Sequence, residues 1–172
     1  LVWGVDTNSE AAAGFESEYG VNSYSSAADA LSARAVDIVV LAVSVTQRAK
    51  LWPVVLESKP SLIIAEKPLA ASTEECIVIS KKCAEVGSSL LVNYPRRYSA
   101  ATKRAKHHVD SGELGDFQSA HVWYGKGVSN NGSHLINLLM HLLGNSNWEI
   151  SDVLGNGKSY IDGDIDASFR LN

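Results

Sequence analysis

The feature that most constrains this chain is a short apolar stretch, residues 61–65, that runs directly into Glu66, Lys67 and Pro68. Two adjacent isoleucines in such a stretch are typical of a parallel-sheet strand that is buried on both faces. Because proline disfavours the helical region for the residue before it, Lys67 is predicted to leave the strand extended, and its bond to Pro68 is a candidate cis peptide. Ligands of open α/β sheets bind beyond the carboxyl ends of the strands, where this ammonium would lie. The alternative is a solvated surface lysine before a helix-starting proline.

Strands and helices alternate with short connections through the first half of the chain. Spacing typical of capping boxes, Thr7 to Glu10 and Ser72 to Glu75, predicts the starts of two helices, and Pro53 implies a kink or a late start in another. Strands are predicted at residues 1–5, 21–24, 37–43, 61–67 and 89–94, and helices at 11–20, 26–33, 46–58 and 73–87. This order predicts the α/β class, with a Rossmann-type doubly wound parallel sheet.

The pattern changes after Tyr94, where Pro95 interrupts the alternation. Helices are predicted at residues 99–109 and 133–143, and strands at 117–124, 148–153 and 166–171. Gly112 and Gly115 are predicted to form the turn before the first of these strands. We therefore expect two domains, a Rossmann-like domain at residues 1–94 and a truncated α+β domain at residues 95–172.

Composition excludes several classes of function. The 172 residues carry a formal net charge of -4 and no basic stripe, so nucleic acid is not expected as a partner. No apolar run is long enough to span a bilayer, and the first residues lack a signal-peptide pattern, so no membrane partner is expected either. Cys76 and Cys83 lie seven residues apart in one predicted helix, which indicates reduced thiols and a cytoplasmic location. No metal site is predicted.

Two further residues could carry chemistry. Asp6 follows the first strand, where dinucleotide-binding folds place an acidic residue that accepts hydrogen bonds from the adenosine ribose. A carboxylate there would favour NAD over NADP, although Asp6 could instead form an Asx-type turn that starts the next helix. His134 falls in the first turn of an apolar helix, and imidazole suits proton transfer near neutral pH. A hydrogen-bonded structural histidine is the alternative for His134.

Four motifs in order give a resemblance to a known family. Residues 65–70, 92–97, 112–115 and 131–134 resemble, in sequence and spacing, the Gfo/Idh/MocA oxidoreductases, the family of glucose-fructose oxidoreductase and inositol dehydrogenase. The resemblance covers essentially the whole chain. It implies a nicotinamide-binding Rossmann domain followed by an α+β domain that shapes the substrate site and often builds the oligomer interface. The chain then resembles a fragment that lacks the first βα unit and most of the final sheet.

The resemblance also implies roles for individual residues. Lys67 matches the active-site lysine that hydrogen-bonds the reacting hydroxyl and stabilises negative charge on its oxygen. His134 matches the histidine that takes the hydroxyl proton while hydride passes to the nicotinamide. Glu66, Asn93 and Tyr94, together with Lys67, fall where family members line the nicotinamide side of the cleft.

Some positions depart from the family pattern or leave alternatives open. Asn130 stands where many members have an aspartate; it cannot accept a proton or stabilise an imidazolium by charge, but its amide can orient a substrate hydroxyl. Arg97 is a candidate anchor for a substrate carboxylate or phosphate, although a salt bridge between domains is the preferred role for both Arg96 and Arg97. Residues 46–48 replace a histidine of many members, at an expected cofactor-side contact.

The sequence therefore predicts an NAD-dependent oxidoreductase, with NADP as the alternative cofactor, that acts on a secondary alcohol of a sugar, cyclitol or nucleotide sugar. Lys67, His134 and Asn130 would act at the reacting centre, and the full-length protein is expected to form a homo-oligomer. A second hypothesis is a non-catalytic member that binds a nucleotide or sugar as a sensor or assembly subunit. A third is an ordinary α/β domain in which the lysine and the histidine are incidental.

Overall fold

A computed structural model describes residues 1–144, 150–154, 159–161, 164–165 and 168–171, and beyond Gly144 it describes the side chain of Asp164 alone. The chain divides into two compact units, Leu1–Asn93 and Tyr94–Asn172.

The first unit alternates strands and helices, as predicted. Its strands are β1 (Gly4–Val5), β2 (Ser23–Tyr24), β3 (Ile38–Leu41), β4 (Leu62–Glu66) and β5 (Ser89–Asn93). Its helices are α1 (Ser9–Tyr19), α2 (Ala27–Ala33), α3 (Val45–Glu57) and α4 (Thr73–Glu85). Pro53 lies inside α3, which begins one residue before the predicted start rather than late.

The five strands form two sheets, and all strands that are paired within each sheet are parallel. β1 pairs with β2, and β4 lies between β3 and β5 in a three-stranded sheet. The register sets Leu41 opposite Ala65 and Glu66 opposite Asn93, so the carboxyl ends of β3, β4 and β5 lie along one edge. Parallel strands joined by helices are the expected Rossmann-type architecture.

The core lies on one face of the three-stranded sheet. Val39, Leu41, Ile63 and Ala65 alternate along β3 and β4 and are buried. Their buried neighbours come from the two flanking helices and are Trp52, Val55, Ile79 and Cys83. Burial on both faces, predicted for residues 61–65, is complete on one face only: Ile63 and Ala65 are buried, whereas Leu62 and Ile64 on the other face of β4 are half-buried.

Of the two predicted ends of α1, one agrees with the structure and one does not. Gly20 ends the helix in the left-handed conformation at φ 65°, as predicted. The capping box at Thr7 does not form, because the Asn8 side chain accepts hydrogen bonds from the amides of Glu10 and Ala11 instead. Asparagine satisfies exposed N-terminal amides as well as threonine does, so the cap moves by one residue.

The second unit begins with a short 3₁₀ turn, Pro95–Tyr98, and α5 (Ala100–Asp110). A single π-helical turn, Val128–Gly132, leads into α6 (Ser133–Leu143). Four strands follow: β6 (Ile150–Leu154), β7 (Ser159–Ile161), β8 (Asp164–Ile165) and β9 (Ser168–Leu171). β6 pairs antiparallel with β9, and β7 with β8. β6 and β9 match the strands predicted at residues 148–153 and 166–171, whereas β7 and β8 were not predicted. Trp148 and Asp166, at the starts of the two predicted strands, lie outside the described residues.

The strand predicted at residues 117–124 is wrong. That segment joins no ladder with the described strands, and Phe117 and Trp123 are 55% and 93% exposed. Alternation of polar and apolar residues produces a strand only where a neighbouring strand satisfies the backbone groups. The apolar face of α6 is half-buried in the second unit and is formed by Leu135, Leu138, Leu139 and Leu142. None of the helices in the described part of the chain has the length and apolar character of a transmembrane span.

Candidate active site

Lys67 lies immediately beyond the last residue of β4, at the carboxyl edge of the three-stranded sheet. The side chain is half-buried, which does not fit the alternative of a fully solvated surface lysine. The Lys67–Pro68 peptide bond is cis, in agreement with the sequence expectation. The sheet therefore presents an ammonium group at the edge where ligands of α/β folds bind.

Glu66 and Asn93 meet at the same edge. They are opposite each other in the parallel register of β4 and β5, and Asn93 Nδ2 donates a hydrogen bond to Glu66 Oε1 at 2.6 Å. Hydrogen bonds to a carboxylate are shorter and stronger than those between neutral groups. Three of the predicted site residues, Glu66, Lys67 and Asn93, are thus brought together by one pair of strands.

Arg48 is a site feature that sequence reasoning missed. Arg48 is 1% exposed, and its guanidinium donates hydrogen bonds to the carbonyl oxygens of Val43 at 2.7 Å, of Leu69 at 3.3 Å and of Pro68. Burial lowers the pKa of Arg48 from its ordinary value, and the negative charge of Glu66 opposes that shift. Residues 46–48 were expected to contact the cofactor. The Arg48 guanidinium instead binds main-chain carbonyl groups of its own unit.

Asp6 follows β1, in the two-stranded sheet of the first unit. Its Oδ1 atom accepts a hydrogen bond from the backbone amide of Asn8 at 2.8 Å. This is the Asx-type turn that the sequence left as the alternative role. Asp6 is exposed, and a carboxylate with one backbone bond retains capacity for further donors, so its proposed contact with ribose stays a prediction.

In the second unit, His134 occupies the first turn of α6 and contacts Tyr94. The two rings meet edge to face, with 5.6 Å between their centroids and 87° between their planes. One turn further along α6, the side-chain oxygen of Asn137 is buried and has no hydrogen-bond partner among the described residues. Such an atom is a candidate for binding a ligand hydroxyl. Sequence reasoning did not single out Asn137, although it lies three residues after His134 on the same helix.

Asn130 belongs to the π-helical turn before α6, and that turn is held by Asp164. The Asp164 carboxylate accepts hydrogen bonds from the backbone amides of Ser129 and Asn130, each at 2.9 Å. Gly127 precedes the turn at φ 93°, and a Cβ atom there would overlap the Asp164 carboxylate. The backbone of Asn130 is therefore fixed by an acidic residue 34 positions away in the chain. π-helical turns of this kind are frequent at functional sites.

The two arginines differ in their surroundings. Arg96 donates a hydrogen bond from Nη2 to the side-chain oxygen of Asn131 at 3.0 Å, and so contacts the same π-helical turn. Arg97 is half-buried, and its positive charge contributes to lowering the pKa of His141. The roles of Arg97 as a substrate anchor and of either arginine in a salt bridge between domains stay predictions.

The residues of the first unit suit a nicotinamide dinucleotide in their chemistry. Glu66 and Asn93 supply a carboxylate and an amide, Lys67 supplies a cation, and Asp6 supplies a second carboxylate, all at the carboxyl ends of parallel strands. Amide and hydroxyl groups of such a cofactor need both donors and acceptors. Parallel strands joined by helices, with polar side chains at their carboxyl ends, define a Rossmann-type nucleotide-binding protein.

Comparison with known proteins assigns the family. Residues 1–94 match the model of the Gfo/Idh/MocA family, described as an oxidoreductase family with an NAD-binding Rossmann fold. The chain therefore belongs to this family.

Individual relatives agree with that assignment. An inositol 2-dehydrogenase of Rhodococcus erythropolis is 36% identical over 89 residues, which are 51% of this chain and 25% of that protein. A scyllo-inositol 2-dehydrogenase (NAD(+)) of Bacillus subtilis is 42% identical over 53 residues, or 31% of this chain and 16% of that protein. The solved WlbA dehydrogenase of Bordetella pertussis, in complex with NADH and UDP-GlcNAcA, superposes with a TM-score of 0.73 at 24% identity, over 99% of this chain and 55% of that one. This last likeness shows the fold, and the chain spans about half the length of that structure and a quarter or less of the two curated relatives.

Proposed function

We propose that the protein is an NAD-dependent oxidoreductase that interconverts a secondary alcohol and a ketone on a sugar, a cyclitol or a nucleotide sugar. The observation that carries this proposal is the position of Lys67, half-buried at the carboxyl end of β4 beside the Glu66–Asn93 pair. Membership of an NAD-binding oxidoreductase family supports the cofactor. The substrate class is supported by the inositol dehydrogenases among the relatives.

When bound, NAD⁺ supplies the acceptor for the hydride that leaves the carbinol carbon. The Lys67 ammonium donates a hydrogen bond to the reacting hydroxyl oxygen and stabilises the negative charge that develops there. His134 accepts the hydroxyl proton, so the alcohol loses one hydride and one proton and becomes a ketone. In the reverse direction His134 returns the proton to the oxygen.

Asn130 and Asn137 would orient the substrate. The backbone of Asn130 is held by Asp164, so its side-chain amide extends from a fixed turn. The buried oxygen of Asn137 would accept a hydrogen bond from a second hydroxyl group, which a polyol offers and a simple alcohol does not. Glu66, Asn93 and Tyr94 would bind the nicotinamide side of the cofactor, and Asp6 the ribose.

A panel of cyclitols, sugars and nucleotide sugars tests the proposal on the intact protein, with NADH formation as the measurement. We expect turnover with at least one polyol, a loss of about 10²–10³-fold in kcat for Lys67→Met, and a loss of about 10²–10⁴-fold for His134→Gln. Lys81→Met and His121→Gln remove an exposed cation and an exposed imidazole, and they should retain activity.

The second candidate is a non-catalytic sensor of nucleotide or sugar, and Asn130 in place of an aspartate is the observation that favours it. Its signature is distinct in the same assay. NADH fluorescence would report saturable binding, no compound of the panel would be turned over, and neither Lys67→Met nor His134→Gln would change the rate of NADH formation. That combination of results would overturn the oxidoreductase proposal.

A further inference from the structure

The Arg48 guanidinium connects the segments that follow two neighbouring strands, β3 and β4. One of its acceptors, the carbonyl oxygen of Val43, lies two residues after the end of β3. The other two, the carbonyl oxygens of Pro68 and Leu69, lie directly after Lys67 at the end of β4. One side chain on α3 therefore binds the main chain that follows β3 and the main chain that follows the proposed catalytic lysine.

Burial of a cation is costly, and buried positions on helices are usually occupied by apolar side chains. Arg48 shares the inner face of α3 with Trp52 and Val55, where an apolar side chain of similar volume would fill the space without removing a charge from water. Guanidinium offers five N–H donors in a rigid plane and stays protonated in proteins. Its use here is explained by three carbonyl groups that need fixed donors.

We infer that Arg48 is a positioning residue that fixes the turn after Lys67 and thereby holds the Lys67 ammonium where the reacting hydroxyl binds. The kinetic part of this inference rests on the proposed function. The structural part, that Arg48 determines the placement of Lys67, stands on the three hydrogen bonds alone. It touches neither substrate nor cofactor in this role.

Arg48→Lys separates the geometry of the side chain from its charge. A lysine keeps the positive charge, but a compact ammonium on a flexible stem cannot reproduce three bonds from one rigid fork. A displacement of about 1 Å in a catalytic group lowers rates by up to about 10²-fold. We therefore expect kcat to fall about 10–100-fold in Arg48→Lys, with the KM for NAD⁺ little changed, and further in Arg48→Met.

Two readouts on the intact protein distinguish positioning from a purely structural role. The first is the rate at which acetic anhydride labels Lys67, measured by mass spectrometry relative to the exposed Lys50 on the same helix. The second is the deuterium isotope effect on kcat with the compound of the panel that is turned over fastest. Both are measured well below the midpoint of thermal unfolding of each variant, and Lys50→Met is the matched variant for turnover.

Positioning predicts that Arg48→Lys changes the relative labelling rate of Lys67 by about threefold or more and raises the isotope effect, because hydride transfer becomes slower than the other steps. Lower thermal stability with unchanged labelling, unchanged kcat and an unchanged isotope effect would show Arg48 to be structural only and would overturn the inference. Arg48→Lys decides the question even if Arg48→Met fails to fold.

Lys67→Met measured in parallel tests the proposed function separately. If that variant keeps full turnover, the catalytic role of Lys67 fails, and the labelling of Lys67 in Arg48→Lys still shows whether Arg48 controls its placement. If Lys67→Met is inactive while Arg48→Lys matches the unmodified protein in all three measurements, the proposed function stands and the positioning role falls.

Discussion

Asn93 donates a hydrogen bond to Glu66 at 2.6 Å, from the last residue of β5 to the last residue of β4. This bond joins the ends of β4 and β5, directly before Lys67. The hydrogen bond requires an amide on one strand and a carboxylate on the other. Two carboxylates at this separation would repel each other, so one of them would retain a proton.

Asn93→Asp should therefore make stability fall as the pH rises. One carboxyl group of the new pair would have a pKa above its value in the unfolded chain, so the folded state would bind more protons and lose free energy of unfolding as that proton is released. We expect a loss of about 1–3 kcal/mol at pH 8 and a smaller loss at pH 4, measured by urea unfolding. The double variant Glu66→Gln/Asn93→Asp restores a neutral amide opposite an acid and should recover most of the loss; equal losses at both pH values would contradict the explanation.

Gly127 and Gly115 form a matched pair of glycines for testing the turn that carries Asn130. Both have positive φ, 93° and 71°, but a Cβ atom at Gly127 would overlap the Asp164 carboxylate, whereas one at Gly115 would meet open space. Gly115→Ala should cost about 1–2 kcal/mol from backbone strain alone. Gly127→Ala should cost at least about 1.5 kcal/mol more, because the bonds from Ser129 and Asn130 to Asp164 are displaced. Chemical denaturation of both variants gives the comparison, and equal costs would show that Asp164 does not hold this turn.

Local signals in the sequence predicted most of the first unit. The hydrophobic run before Glu66, the serine cap at Ser72 and the glycine at Gly20 each act over a few residues, and each appears in the structure as predicted. The resemblance to a family added Lys67 and His134 as candidates. Both lie at element ends where the sequence placed them, and their catalytic roles stay proposals.

The features that the sequence did not predict depend on residues far apart in the chain. The segment at residues 117–124 has the polar and apolar alternation of a strand but pairs with none of the described strands. The sequence of one segment does not show whether a partner strand is available. Asp164 reaches a turn 34 residues earlier in the chain. Arg48 did leave a signal, since it occupies the first position of an i, i+4, i+7 series with Trp52 and Val55 on the buried face of α3. A charged residue in such a series indicates a buried polar contact.

The two cysteines should differ sharply in reactivity. Cys83 is 1% exposed and burial raises the pKa of its thiol, whereas Cys76 is half-buried. Because the thiolate is the reactive form, iodoacetamide at pH 7.5 should modify Cys76 in the folded protein and reach Cys83 only after denaturation. Mass spectrometry of the labelled protein reads out both sites, and Cys76→Ser should abolish the labelling seen under native conditions. Labelling of Cys83 at the rate of Cys76 would show that the core around α4 opens readily.

His141 on α6 should make the protein less stable as the pH falls. Burial and the positive charges of Arg97 and Lys106 lower the pKa of His141 from its ordinary value, and Asp110 opposes them. The unfolded chain, with an ordinary histidine pKa of about 6.5, then binds a proton before the folded protein does. Stability is consequently lost as the pH falls from about 6.5 through the pKa of His141 in the folded state.

Replacing His141 by glutamine should therefore reduce the slope of the free energy of unfolding against pH between about pH 5 and 7, measured by urea unfolding at each pH. Asp110→Asn provides a test of opposite sign, because the loss of that carboxylate removes a charge that favours the imidazolium and should steepen the slope. Lys106→Met removes a cation from the neighbouring helix and should flatten it. A slope that is the same in all three variants would show that His141 is not the group that responds to pH in this range. A lower slope in His141→Gln and Lys106→Met with a steeper one in Asp110→Asn would assign the response to His141 and the charges around it.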